Sequence, residues 1–212
     1  MLRRLEADGL REDTIIFYFG DHGGVLPGSK SYLYETGLHV PLVVYFPEKW
    51  RHLAPAAPGS RVGGFVSFID LPATVLHLAG LPVPAAIDGR PFLGAGILRG
   101  ELESRDETYA SADRFGEKYD LVRSVRKGRF KYLRSYQPMN PDALHDAYRY
   151  QMLAYREWRE LAAAGKLNPA QRRFFEPRAA EALPQAWKND PSLERNRRLG
   201  YLQAAVVGPA SP

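Results

Sequence analysis

Asp13-Thr14-Ile15-Ile16-Phe17-Tyr18-Phe19-Gly20-Asp21-His22-Gly23-Gly24 leads, through a short loop holding Lys30, into Tyr34-Glu35-Thr36-Gly37-Leu38-His39-Val40-Pro41-Leu42-Val43-Val44-Tyr45-Phe46. Residues 14–19 form a continuous apolar, β-branched and aromatic run, the pattern of a strand buried on both faces of a sheet. Residues 40–46 repeat it, with Pro41 near the start, where a strand tolerates proline. Between them, residues 20–31 are glycine-rich. In open α/β sheets, ligands bind beyond the carboxyl ends of strands. Adjacent side chains on a strand point to opposite faces, but in a glycine-flanked loop Asp21 and His22 can converge on one ion. The carboxylate suits Ca²⁺ or Mg²⁺, and the imidazole moves the preference toward Zn²⁺ or Mn²⁺. A turn in which Asp21 caps backbone amides would give the same local sequence. Lys30 adds a flexible cation suited to a sulfate or phosphate oxyanion, although an exposed loop lysine would look the same.

Outward from this stretch, the chain has 212 residues, 45% of them apolar by type, and no cysteine. That length allows one ordinary domain or two small ones. The missing thiols exclude disulfides, thiolate metal sites and a cysteine nucleophile. No apolar run reaches the roughly 18 residues of a spanning helix, and Arg3 and Arg4 are not followed by the apolar segment of a signal peptide. The formal net charge is +5. Residues 1–100 balance nine basic against nine acidic side chains, so the excess lies wholly in the second half. Its densest part, residues 123–134, could face a polyanion, but the acids are interspersed and a solvated surface accounts for the pattern more simply.

Residues 2–9 read as a helix stopped by Gly9, and 65–68 as a short strand. Residues 71–78 form a helix with Asp70 as N-cap, Pro72 in the first turn and Gly80 beyond the end. Residues 121–126 and 129–136 alternate around Lys127-Gly128, predicting an antiparallel hairpin with one wet face. Phe130, Tyr132 and Tyr136 are read as its core side. Residues 142–164 read as one helix with a packing stripe of Tyr148, Met152, Tyr155 and Trp158. Asn168 then caps a short helix that begins at Pro169. Buried strands with helices, then an antiparallel hairpin, predict an α/β layer joined to an antiparallel subdomain.

Asp21-His22, Lys30 and the following Tyr34-Glu35-x-Gly37-x-x-x-Pro41 resemble the sulfatase family of the alkaline phosphatase-like superfamily. Val66-Ser67-Phe68-Ile69-Asp70-Leu71, Thr74, Ala79-Gly80 and Asp88-Gly89-Arg90 extend the resemblance, as does the hairpin from Arg123 to Tyr136. Pro72-Ala73-Thr74 departs slightly from the usual Pro-Thr. The nearest subgroup in pattern is the bacterial heparan N-sulfatase type. The resemblance implies the C-terminal portion of a sulfatase: a partial α/β core over residues 1–95, a C-terminal antiparallel sheet subdomain with helices over 96–177, and a loose tail over 178–212.

It further implies a sulfuric ester hydrolase using a divalent cation, usually Ca²⁺ in the family, with Asp21 and His22 as part of the metal site and Lys30 as the sulfate-binding residue. The nucleophile in such enzymes is a formylglycine made from Cys or Ser in a Cys/Ser-x-Pro/Ala-x-Arg motif. This chain contains no such motif, nor the Asp pair that would complete the metal site. The expectation is therefore a fragment that is inactive alone and needs a missing N-terminal half. Its substrate would be a sulfated small molecule or glycan. Family members are often periplasmic or secreted, and the compartment here stays open. Two alternatives remain: a phosphodiester or phosphonate hydrolase of the same superfamily, or a non-catalytic basic module that binds polyanions. A membrane partner is not expected, and the dispersed charge weighs against nucleic acid. Residues 178–212 fit the family ending poorly, since Leu193 stands where a glutamate is usual and Pro184-Gln185-Ala186 replaces Leu-Tyr-Asp; a shifted reading frame would explain this.

Overall fold

The structure is a computed structural model that describes residues 2–182. In chain order the elements are α1 (Leu2–Ala7), β1 (Ile16–Phe19), α2 (Glu35–Leu38), β2 (Leu42–Tyr45), α3 (Asp70–Leu78), α4 (Arg99–Glu103), β3 (Glu107–Phe115), β4 (Lys118–Lys127), β5 (Phe130–Ser135), α5 (Ala147–Tyr150), α6 (Leu153–Ala163), α7 (Pro169–Arg172) and β6 (Glu181–Ala182). Two compact units share them. The first holds residues 1–19 and 41–108, the second 20–40 and 109 onward, so the chain passes between units three times. Among the described residues, no helix is long and apolar enough to cross a membrane.

In the first unit β1 and β2 pair antiparallel, with Phe17 opposite Val44 and Tyr18 opposite Val43. Alternation sends Phe17, Leu42 and Val44 into a core around Phe92, Leu93 and Leu102. The other face stays open: Tyr18 is 65% exposed and Val43 57%. This corrects the expectation of strands buried on both faces. A continuous apolar run does not distinguish a doubly covered strand from one whose second face lacks a cover. Residues 65–68 likewise form no strand; Phe65 N–H makes a single backbone bond to the Arg105 carbonyl.

Asp70 does not cap its own helix. Its carboxylate accepts from Ser67 N–H and Arg90 N–H, both at 2.9 Å. Thr74 Oγ1 donates to the Asp70 carbonyl and accepts from Phe92 N–H. The Val66–Leu71 and Asp88–Arg90 motifs are thus two ends of one buried clamp around α3. His77 Nε2 lies 2.9 Å from the Ala95 carbonyl oxygen, a packing role.

The second unit carries a sheet in the order β3-β4-β5-β6. The hairpin is present, with Lys127 opposite Phe130 across a two-residue turn. Its buried face is the reverse of the expected one: Lys118, Asp120, Val122 and Ser124 on β4, and Lys131, Leu133 and Ser135 on β5. Tyr136 is 47% exposed. The single helix read over 142–164 is two, α5 and α6, separated at Gln151-Met152. Tyr155 is buried with Tyr32, Tyr150 and Phe174, and Trp158 stacks on Phe174 at 4.6 Å. Asn168 and Gln171 form a reciprocal capping box on α7. Arg178, at the head of the expected tail, is half-buried and pairs with Asp120; residues 183–212, including most of the suspected frame change, lie outside the described residues.

The open face of β1-β2 should govern solubility, because exposed apolar strands template association. We expect Tyr18→Lys with Val43→Thr to raise the monomeric fraction in size-exclusion chromatography. An unchanged elution profile would show that this face is not the sticky one.

Candidate functional site

All three sequence-selected residues lie in the segment 20–40 of the second unit. The segment is tightly folded on itself. A Cβ on Gly23 would stand 1.7 Å from the Thr36 carbonyl oxygen, and one on Gly37 2.3 Å from that of Ser29. Only glycine permits these approaches, so the spacing of Gly23 and Gly37 fixes the loop. Gly23 N–H donates to the Gly37 carbonyl, and Ser29 Oγ donates to Thr36. Ser31, just after Lys30, has φ +69°, a left-handed conformation uncommon outside glycine and concentrated where function demands it.

Asp21 and His22 are brought together. Asp21 Oδ2 lies 3.4 Å from His22 Nε2. His22 Nδ1 lies 2.7 Å from the Gly23 carbonyl oxygen. A carbonyl can only accept, so Nδ1 carries a proton, and Nε2 is the nitrogen that faces the carboxylate. Two lone-pair groups this close repel unless a proton or a cation lies between them. Fixing Nδ1–H on a carbonyl is also how proteins orient a ligating imidazole. The Asp21 side chain is 83% exposed, open to an incoming ion. The pair therefore fits part of a divalent-cation site. No group of three or more His, Cys, Asp or Glu side chains able to hold a metal occurs among the described residues. The Lys30 ammonium donates to the Tyr148 hydroxyl at 3.1 Å and lies 4.9 Å from that ring's centre.

The sequence did not reveal what anchors this segment. Glu35 accepts from Lys131 Nζ at 2.9 Å and from the Arg126 guanidinium. Burial pulls the Lys131 ammonium below its ordinary pKa, with the Glu35 bond opposing the shift. Tyr34 donates to the Asp142 carboxylate and Tyr32 to the Asp142 carbonyl, each at 2.7 Å. Burial raises both tyrosine pKa values. It also raises that of the Asp142 carboxyl against the Tyr34 bond. Desolvation pushes Asp120 up as well, but bonds from Arg178 and Lys118 outweigh it and hold its pKa below the ordinary value. Arg149 stacks its guanidinium over Tyr32 at 4.3 Å. Several C-terminal cations are thus paired inward rather than spread as an anion-binding face. Arg123 also pairs, with Asp113. The Tyr34-Glu35 motif was visible in sequence; its partners, 91 and 96 residues further along, carried no local signal.

The sulfatase family model matches residues 1–81. Over those residues the chain carries sulfatase-family sequence. An ulvan-active sulfatase of Formosa agariphila is 37% identical over 198 residues, covering 92% of this chain and 31% of that protein. Arylsulfatase K of Bos taurus is 32% identical over 89 residues, 40% of this chain and 15% of its own length. The chain thus spans about a third or less of the curated relatives it matches. Among solved structures, BT4656 in complex with its substrate D-glucosamine-2-N,6-O-disulfate covers 90% of this chain and 38% of its own, at TM-score 0.52 and 20% identity. BT1596, a 2-O GAG sulfatase, covers 97% and 42% at TM-score 0.51 and 18% identity. These neighbours have the alkaline phosphatase-like fold of sulfatases, with small antiparallel sheets.

Two outcomes test the sulfatase-like segment's anchor. Glu35→Gln removes the carboxylate that the buried Lys131 ammonium pairs with, so unfolding free energy should fall by about 3 kcal/mol, read from urea midpoints; a loss below about 0.5 kcal/mol would contradict the anchoring role. Because the Asp120 pKa is lowered on folding, its contribution is complete above the unfolded value near 3.9 and is lost as pH falls through the folded one. The stability gap between the native chain and Asp120→Asn should accordingly narrow as pH drops below about 4. A gap that widens would reverse the sign.

Proposed function

We propose that this chain forms the C-terminal side of a sulfuric ester hydrolase site that takes sulfated glycans, with Asp21 and His22 as two ligands of a divalent cation, calcium by family habit, and Lys30 as the group that binds the sulfate. The observation that carries the proposal is the Asp21–His22 pair: a carboxylate oxygen and the imidazole Nε2 3.4 Å apart, the ring held by Gly23, in the loop that also holds Lys30. Glycan chemistry is supported by the relatives, one an ulvan-active sulfatase and one seen with a disulfated glucosamine.

When bound, the cation would polarise a sulfate oxygen and stabilise charge on the ester as it is attacked. The protein's share is orientation. Gly23 fixes which nitrogen of His22 is free, the close-packed backbone fixes where Asp21 stands, and Lys30 supplies a charge-assisted donor to the sulfate. Two side chains do not make a complete site, since Ca²⁺ takes roughly six to eight oxygens. The formylglycine precursor motif is absent from this sequence. A working site of this kind needs further ligands and a nucleophile that these residues do not supply, and in this reading the chain is inactive alone.

Calorimetric titration with CaCl₂ tests the ligand assignment. Weak binding should be detectable, and Asp21→Asn should abolish it. Binding that survives Asp21→Asn with His22→Ala would refute the assignment. Turnover of an aryl sulfate by the purified chain with Ca²⁺, abolished by Asp21→Ala, would refute the claim of inactivity.

A further inference from the structure

Tyr148 belongs to no motif that marks the sulfatase-like segment, yet it is built to meet Lys30. It sits in α5, whose start is pinned twice: Asp146 caps it by accepting from Arg149 N–H at 3.0 Å, and Glu117, in the β3–β4 turn, accepts from Ala147 N–H at 2.5 Å. The Tyr148 ring packs edge-on against Phe115 at 5.7 Å, and the Arg149 guanidinium covers Phe115 at 5.3 Å. Backbone, ring and helix cap thus all fix one aromatic side chain that is still 42% exposed. On the other side, Lys30 N–H donates to the Gly24 carbonyl at 3.1 Å, and the left-handed Ser31 sets the exit of the chain. The ammonium then meets both the hydroxyl and the ring of Tyr148.

We infer that Tyr148 is a positioning residue: it holds the Lys30 ammonium in one place and leaves its remaining N–H donors free for an oxyanion. The chemistry requires such a device. A lysine is a compact charge on a long flexible stem, and its rotamer freedom must be lost before it can bind an anion in a defined geometry. A cation over an aromatic face is held by the ring quadrupole without consuming a hydrogen bond, and the hydroxyl takes only one of the three N–H groups. The inference rests on the sulfate-binding reading of Lys30, but its first test does not.

Competitive acetylation of the full-length chain, with each lysine quantified by peptide mass spectrometry, measures the restraint directly. Lys30 should react several-fold more slowly than exposed Lys166. Tyr148→Leu should raise the Lys30 rate about threefold while leaving Lys166 unchanged. Tyr148→Phe, which keeps the ring and loses the hydroxyl, should restore part of the restraint. A Lys30 rate identical in the native chain and Tyr148→Leu would overturn the inference, as would a general rise at all lysines, which reports unfolding rather than a local contact. In a second arm, D-glucosamine-2-N,6-O-disulfate should protect Lys30 in the native chain and less in Tyr148→Leu. Equal protection in both would overturn the positioning role. Protection in neither, with the rate difference intact, would overturn the sulfate reading of Lys30 and support the restraint.

Discussion

The carboxylate of Glu35, held between Lys131 and Arg126, is the interaction on which the second unit depends. Lys131 is 1% exposed, and a cation removed from water to that degree is tolerated only with a counter-ion and hydrogen bonds in place. The ion pair joins a loop segment near the start of the chain to a hairpin about a hundred residues later. Tyr34 on Asp142, Tyr32 under Arg149, and Asp120 between Arg178 and Lys118 extend the same attachment. The loop that holds Asp21, His22 and Lys30 is therefore fixed by buried polar contacts as much as by apolar packing.

That construction suits a binding loop. Glycine at 23 and 37 lets two backbone segments touch, and this leaves little internal freedom. Rigid support beneath a loop is what allows its side chains to meet a ligand in a set geometry. The same logic separates two sequence motifs by purpose. Asp70, Thr74 and Arg90 clamp a helix in the first unit. Asp21 and His22 have an exposed carboxylate and an oriented ring, the features of a site rather than of a clamp.

Much of this was legible in the sequence where the signal is local. The Asn168-Pro169 helix start, the Gly128 turn and the alternation of β4 and β5 need only neighbouring residues. The glycine-flanked Asp21-His22 loop was legible for the same reason. The rest was hidden for physical causes. Lys131 looks like a solvent-facing hairpin lysine until Glu35, 96 residues earlier, is placed against it, and that pairing reverses which face of the hairpin is inside. Residues 14–19 read as doubly buried because an apolar run records hydrophobicity, not how many faces are covered. Tyr148 was read with the packing stripe, but a break at Gln151-Met152 frees it from the helix that would have buried it.

In the proposed cation site, Asp21 and His22 Nε2 are adjacent ligands of one ion. Imidazole ¹⁵N–¹H spectra recorded during titration with trace Mn²⁺ test it most directly. Nε2 of His22 should broaden first, Nδ1 should stay protonated, and Asp21→Asn should suppress the effect. Broadening that begins at other histidines, or a His22 whose Nδ1 rather than Nε2 meets the ion, would contradict it.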